Sequence, residues 1–287
     1  MPMFMYFMIV LSWKKSLTWG VTTVLDMHNE PDYFQRMKKI ADERNDVSDI
    51  KSACHAATIT NGWPSPIVRL TSKNPEIETR ISQWPNITDE KSVDQYIAKS
   101  VADGASFIKL MQEAGDAFNL PFPTRPIPTP TSDIQKAIVS AAHRHNMLAV
   151  GHAMTTSATL QNLRAGVDGS THASLEPMTA EILQEFERTN AFLIPTLAVH
   201  TSSTGEEQVT RDQFASGLEG ADKDHMLASL SIVRQGATME NAYEMVKSLK
   251  QAGIDILCGT DTSHEMVGQH QECLSIKNCG FMSTDVA

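Results

Sequence analysis

Leu148-Ala149-Val150-Gly151-His152, a helical pattern from Thr156 to Ala165, and Gly166-Val167-Asp168-Gly169-Ser170-Thr171-His172 together decide the fold. The first run is continuously apolar rather than alternating, as a strand buried on both faces requires. Gly166 stops the helix, and the second run again ends in histidine. The same rhythm extends in both directions. Upstream lie Gly20 to Asp26, Ile50 to Ala57, and Ser106-Phe107-Ile108-Lys109-Leu110-Met111, a strand ending in lysine. Downstream lie Ala191 to Thr196 and Ile254 to Asp261. Helical spacing of apolar residues covers Asp133 to Asn146, with Ser132 as its cap, Thr179 to Thr189, and one long region from Asp222 to Ala252 closed by Gly253. The proline-rich stretch Pro121–Pro130 is a loop. Strands alternating with helices at this spacing imply parallel βαβ units, hence an α/β fold. A barrel and an open doubly wound sheet both satisfy the pattern. No GxGxxG or Walker A motif follows any strand, which weakens a nucleotide-binding reading.

The chain has 287 residues, 41% of them hydrophobic and 20% charged, which excludes disorder, collagen and coiled coil. Its net charge is −10 and it carries no basic run, so neither nucleic acid nor an anionic membrane is an expected partner. Cys54, Cys258, Cys273 and Cys279 show no CxxC spacing and read as reduced thiols of a cytoplasmic protein. The apolar run Met3–Leu11 is short of the ~20 residues a bilayer span needs, and Lys14 and Lys15 follow it rather than precede it. Residues 1–19 are therefore set apart as an atypical apolar segment ahead of a domain at 20–287.

Lys109, His152, His172 and Asp261 all sit at the C-terminal ends of apolar strands, the catalytic rim of a barrel. Singly, each has a bland reading: a hydrogen-bonded structural histidine, a solvated lysine, a turn-capping aspartate. Together, two imidazoles and a carboxylate supply the borderline ligands that suit Zn²⁺ or a similar divalent ion. A lysine joins such a site only after losing its positive charge, which carbamylation by CO₂ achieves. His200 and His264 follow rim strands and are candidates for contacting substrate. His28 and His55 are weaker candidates for the pocket wall. His143 and His145 lie two apart on a helix, diverge, and are expected in solvent.

These residues carry a resemblance. Gly20-Val21-Thr22-Thr23-Val24-Leu25-Asp26 resembles the GVTTVRD strand of the amidohydrolase superfamily, and Gly104-Ala105-Ser106-Phe107-Ile108-Lys109 is similar to GADFIK in its imidazolonepropionase-like and prolidase-like branch. Gly151-His152-Ala153, the Gly166 to His172 run and Gly259-Thr260-Asp261 match the histidine strands and the GTD strand in order. The resemblance implies a (β/α)8 TIM barrel of the metal-dependent hydrolase type. It also implies a carboxylated Lys109, metal held by Lys109, His152, His172 and Asp261, and Asp261 as the catalytic proton acceptor. The implied reaction is hydrolysis of an amide or dipeptide-like small molecule by metal-activated water.

The departures matter as much. The family opens with a strand carrying HxH and closes with a small β-sandwich, and the chain has no HxH anywhere. About seven of eight barrel strands are recognisable, so the barrel is expected to be incomplete and to hold one divalent ion, zinc, rather than two. An incomplete barrel has unpaired strand edges that favour a homo-oligomer. The opposing expectation is a truncated or catalytically impaired remnant acting as a binding or oligomerising module. A metal-dependent decarboxylase or isomerase on the same scaffold is a third reading.

Overall fold

The computed structural model describes residues 17, 21–72, 74–206, 212–213, 215–217, 219–227, 231–259 and 261. The Met3–Leu11 run, His264, Cys273 and Cys279 lie outside the described residues. Strand β1 (Thr23–Asp26) leads through helix α1 (Pro31–Glu43) to β2 (Asp49–Ser52), which pairs with β1 in parallel, Thr23 beside Asp49 and Asp26 beside Ser52. Short helices α2 (Ser65–Thr71) and α3 (Ile77–Ile81) and the longer α4 (Glu90–Ala102) follow. Next come β3 (Ile108–Met111), α5 (Ser132–Arg144), β4 (Ala149–His152), α6 (Thr156–Ala165), β5 (Gly169–Thr171), α7 (Ala180–Thr189) and β6 (Phe192–Ile194). Helices α8 (Leu197–Thr204), α9 (Gly220–Leu227) and α10 (Met239–Gln251) complete the described elements.

Strands β3 to β6 form one parallel sheet in chain order. Two isolated bridges extend it. Ala57, just past β2, donates to Lys109 O at 2.7 Å and accepts from Met111 N at 3.0 Å. Beyond β6, Leu193 N reaches Asp255 O at 2.9 Å and Leu257 N reaches Leu193 O at 2.8 Å. All the strand segments read from the sequence are thus found side by side, parallel and in chain order. A doubly wound sheet reverses direction at a switch point; this one never does, so the winding is that of a barrel. No pairing between β1 and the Ile256 segment is seen among the described residues, and the barrel stands open there.

The core explains the order. Ile108, Leu110, Ile138, Leu163, Phe186, Leu193, Val246 and Leu249 are fully buried in one cluster between the β3–β6 sheet and helices α5, α6, α7 and α10. A smaller cluster of Phe34, Met37, Ile40, Val47 and Ile50 pins α1 to β2. Gly166 ends α6 at φ 90°, the left-handed turn that glycine enters without strain.

Three local expectations need correction. The cap of α5 is Thr131, whose side chain accepts from Ile134 N, and Ser132 is the first helical residue. The helical region from Asp222 to Ala252 is two helices. Gly236 turns the chain at φ 89°, and Thr238 caps α10 afresh by accepting from Asn241 N. Lys109 is the second residue of β3 rather than its last.

Candidate functional site

His152 closes β4, and its carbonyl is held by Asn162 Nδ2 at 3.0 Å and Gln112 N at 3.2 Å. Gly151 makes that approach possible, since a Cβ there would stand 2.5 Å from the Asn162 side chain. Trp63 stacks on the His152 ring at 5.5 Å. His172 follows β5 directly and meets His152 edge-on, with His172 Nε2 2.9 Å from His152 Nδ1. The other nitrogen of His172 lies 2.6 Å from Thr196 Oγ1. Lys109 Nζ donates to Thr171 Oγ1, whose hydroxyl donates in turn to Gly151 O at 3.1 Å. Asp261, with its backbone at φ 51°, places Oδ2 3.7 Å from His172 Nε2. Three polar positions from β3, β4 and β5 and a fourth beyond β6 therefore converge at one end of the sheet.

Burial sets the charges. His152 and His172 are held well below the ordinary imidazole range, chiefly by desolvation, with each other's neighbours Lys109 and His200 adding to it, so both rings are neutral. The Lys109 ammonium is pushed down by burial, opposed by Asp261, and among the described residues no carboxylate lies within ion-pair distance of it. Burial likewise pushes the Asp261 carboxyl up, with Lys109 opposing. Because 54% of that side chain is exposed, water moderates the rise.

His200 lies on α8, fully buried, its ring 5.8 Å from that of His172. Its Nε2 donates to Ala173 O at 3.0 Å, leaving Nδ1 a bare acceptor with no partner among the described residues. Burial lowers its pKa to about 4.

No group of three His, Cys, Asp or Glu side chains among the described residues stands close enough to form a closed metal site. The donor types are nonetheless ones that suit a divalent ion. Two nitrogens on a tetrahedral Zn²⁺ at ~2.0–2.1 Å stand ~3.3 Å apart. His172 Nε2 has His152 Nδ1 at 2.9 Å on one side and Asp261 Oδ2 at 3.7 Å on the other, separations that bracket that spacing.

The other histidines are placed elsewhere. His55 Nε2 bonds Glu30 Oε2 at 2.9 Å, and the ring lines a cavity of about 180 Å³ with Tyr96, Lys99 and Asp103; Lys109, His152, His172 and Asp261 take no part in its wall. His28 Nδ1 accepts from Ala56 N at 3.0 Å, and its ring meets Trp84 edge-on. His145 is exposed as expected, whereas His143 is not merely solvated: it bonds Asp168 at 2.8 Å, across a helix–strand packing that sequence spacing does not reveal. Sequence reading missed Glu113, which is 1% exposed with Oε2 3.9 Å from His152 Nε2, and Thr196, the partner of His172. Neither belongs to a motif. A carboxylate four residues past Lys109, in a run leaving an apolar strand, was the one available signal for Glu113.

The profile of the amidohydrolase family matches residues 1–282. No curated protein matches the sequence. Among solved structures, the chain is similar to a Xaa-Pro dipeptidase with bound methionine (TM-score 0.65, 18% identity, 94% of this chain and 61% of that one). It is similar also to a prolidase complexed with N-methylphosphonate-L-proline (0.61, 21%, 89% and 58%) and to the ochratoxinase of A. niger (0.62, 18%, 94% and 59%). The chain thus spans about three fifths of the length of these structures. Given the family match over nearly its whole length and a sequential parallel winding shared with those barrels, the chain belongs to the amidohydrolase family.

Proposed function

We propose that the domain at 20–287 hydrolyses a carbon–nitrogen bond of a small amide or dipeptide-like substrate with one divalent ion, zinc by its donor set. The observation that carries this reading is the pair of neutral, buried imidazoles with His152 Nδ1 and His172 Nε2 2.9 Å apart, flanked by Asp261 and Lys109. Together with the carbamate of Lys109, these residues would hold the ion. When bound, such an ion lowers the pKa of water to about 7 and polarises the scissile carbonyl.

The chain's own groups supply the rest. Desolvation keeps a large share of Lys109 as free amine near neutral pH. That amine adds to CO₂, forming an N–C bond and releasing one proton, and so turns a buried cation into an anionic ligand. Asp261, half exposed and next to His172, accepts the proton of the attacking water and passes it to the leaving nitrogen. His200 presents an acceptor in its present tautomer and would meet a substrate N–H rather than a carboxylate. His264 is the remaining candidate for a substrate carboxylate. One similar structure is a Xaa-Pro dipeptidase and another a prolidase, which makes dipeptides the first substrates to test.

No helix among the described residues is long and apolar enough to cross a membrane. Scattered cysteines and net acidity support a cytoplasmic enzyme with neither nucleic acid nor an anionic membrane as partner. A second reading, an impaired relative that acts by associating with copies of itself, is favoured by β1: Leu25 on that strand is 46% exposed.

The test is elemental analysis of the purified protein together with a dipeptide and N-acyl amino acid panel. Zinc, manganese or iron near one equivalent, with turnover abolished in His172→Ala and kept in His145→Ala, is the expected result. Metal below on the order of 0.1 equivalent would sink the hydrolase reading and leave the oligomer, checked by sedimentation.

A further inference from the structure

Two buried polar atoms face each other without partners among the described residues: Glu113 Oε2 and His152 Nε2, 3.9 Å apart. Both side chains are almost wholly enclosed, Glu113 at 1% and His152 at 6% exposure. Native interiors rarely leave such atoms unmatched, and a pair of them pointing at one another asks for a state in which they bond.

Hydrogen-bond accounting along the cluster identifies that state. The Thr196 hydroxyl has one proton and two acceptors in reach, Pro195 O at 2.8 Å and His172 Nδ1 at 2.6 Å, so two proton arrangements satisfy the chain. With that proton on Pro195 O, His172 carries its own on Nδ1 and His152 Nδ1 donates across the 2.9 Å contact; with it on His172 Nδ1, the contact runs the other way. In the first arrangement His152 Nε2 is a lone pair facing Glu113 Oε2; in the second it carries the proton and faces the same oxygen.

For both imidazoles to ligate one ion, His172 Nε2 and His152 Nδ1 would each have to present a lone pair. A neutral His152 then carries its proton on Nε2, where Glu113 Oε2 waits; closing the gap by about 1 Å gives an ordinary hydrogen bond. We propose that Glu113 is a positioning residue that selects the metal-binding tautomer of His152 by accepting its Nε2–H. Its other oxygen is fixed for the purpose by Gly115 N at 2.7 Å. Trp63, stacked on the His152 ring, restrains the ring plane in which the proton must point. A carboxylate behind a ligating imidazole raises its basicity as well as fixing its orientation.

The inference rests on the proposed metal site, and the experiment separates the two. Zn²⁺ binding isotherms are measured for the wild type, Glu113→Gln and His172→Ala, with thermal melts of each metal-free protein and nitrogen-15 NMR of the imidazoles. Glutamine preserves shape and can keep its carbonyl on Gly115 N, but then offers an N–H₂ donor to His152 Nε2 and so holds the proton on Nδ1. The expected result is a 10–100-fold loss of zinc affinity in Glu113→Gln with an unchanged melt. In the zinc-loaded wild type the His152 proton should stand on Nε2. Wild-type affinity in Glu113→Gln overturns the proposal, and so does a loaded wild type whose His152 Nε2 carries no proton, a readout that needs no variant to fold. Zinc binding absent from wild type and His172→Ala alike removes the metal reading itself, and the role of Glu113 falls with it.

Discussion

The β3–β6 sheet and the β1–β2 pair are built from the same unit, a parallel strand and its crossover helix, yet they treat polar groups in opposite ways. Strands β3, β4 and β5 are buried at every position, whereas β1 alternates between exposed and half-buried. At the end of β1 and β2 the polar side chains satisfy one another: Glu30 takes His55 and Trp84, and His28 takes Ala56 N. At the end of β3–β6 they do not, and among the described residues Glu113 Oε2, His152 Nε2 and His200 Nδ1 stay unmatched. A cluster that completes its own bonds is scaffold; one that leaves donors and acceptors open is prepared for something else.

Two aspartates at strand ends test that contrast most sharply. Asp26 closes β1 and is wrapped by local donors, Ser52 Oγ at 3.2 Å and His28 N at 3.4 Å. Asp261 faces His172 instead. Asp261→Asn removes the proposed proton acceptor and should cost about 10²–10⁴ in kcat/KM, with the fold intact by circular dichroism. Asp26→Asn should leave turnover within a few-fold and show its effect in the melting temperature. Equal loss of activity in both variants would erase the distinction between scaffold and site.

Next in size is packing. Leu193 is fully buried in β6, between β5 and the Ile256 bridge. Leu193→Ala should lose about 2–5 kcal/mol in chemical denaturation. Leu25 on β1 is 46% exposed, and Leu25→Ala should stay within about 0.5 kcal/mol. A large cost at Leu25 would mean that β1 is covered in solution, which is the oligomer reading.

The sequence made one region far more legible than the other. Continuous apolar runs ending in His152 and at His172 marked β4 and β5 because burial on both faces leaves no alternation to misread. The site could be read only as far as residues that end strands. Glu113 and Thr196 acquire meaning from neighbours 39 and 24 residues away, and no local spacing encodes that. The cap of α5 was misassigned because Thr131 and Ser132 are adjacent hydroxyls with equal capping chemistry. The break before α10 was missed because apolar spacing runs on through Gly236.

A smaller effect is expected from pH. His28 has its pKa lowered to about 4, first by desolvation and then by His55, so the folded protein keeps the ring neutral while the unfolded chain protonates it near 6.5. Stability is therefore unaffected above about pH 6.5 and falls as pH drops from there towards 4. His28→Asn, whose amide oxygen can still accept from Ala56 N, should flatten part of that slope between pH 7.5 and 5. His152, His172 and His200 share the direction of the shift, so the larger part of the slope should persist. An unchanged slope in His28→Asn would assign the whole dependence to the β3–β6 end.

The smallest expected effect concerns what holds the β1–β2 pair together. Helix α1 carries exposed ion pairs at Arg36–Asp32, Lys38–Asp42 and Lys39–Glu43, all spaced i,i+4. The Arg36–Asp32 contact is short, 2.6 Å, but its side chains are 48% and 73% exposed, and water of high dielectric removes most of its Coulomb energy. A double-mutant cycle with Arg36→Gln and Asp32→Asn should give a coupling of about 0.3–0.5 kcal/mol, vanishing in 1 M salt, where the Debye length is about 3 Å. Phe34, 4% exposed on the opposite face, should by contrast cost about 3–5 kcal/mol as alanine. If the coupling instead exceeded 1 kcal/mol, charge would be holding α1 in place. The small Phe34 cluster would then be too weak to anchor the pair, and the open edge of the barrel would owe its integrity to its surface rather than its core.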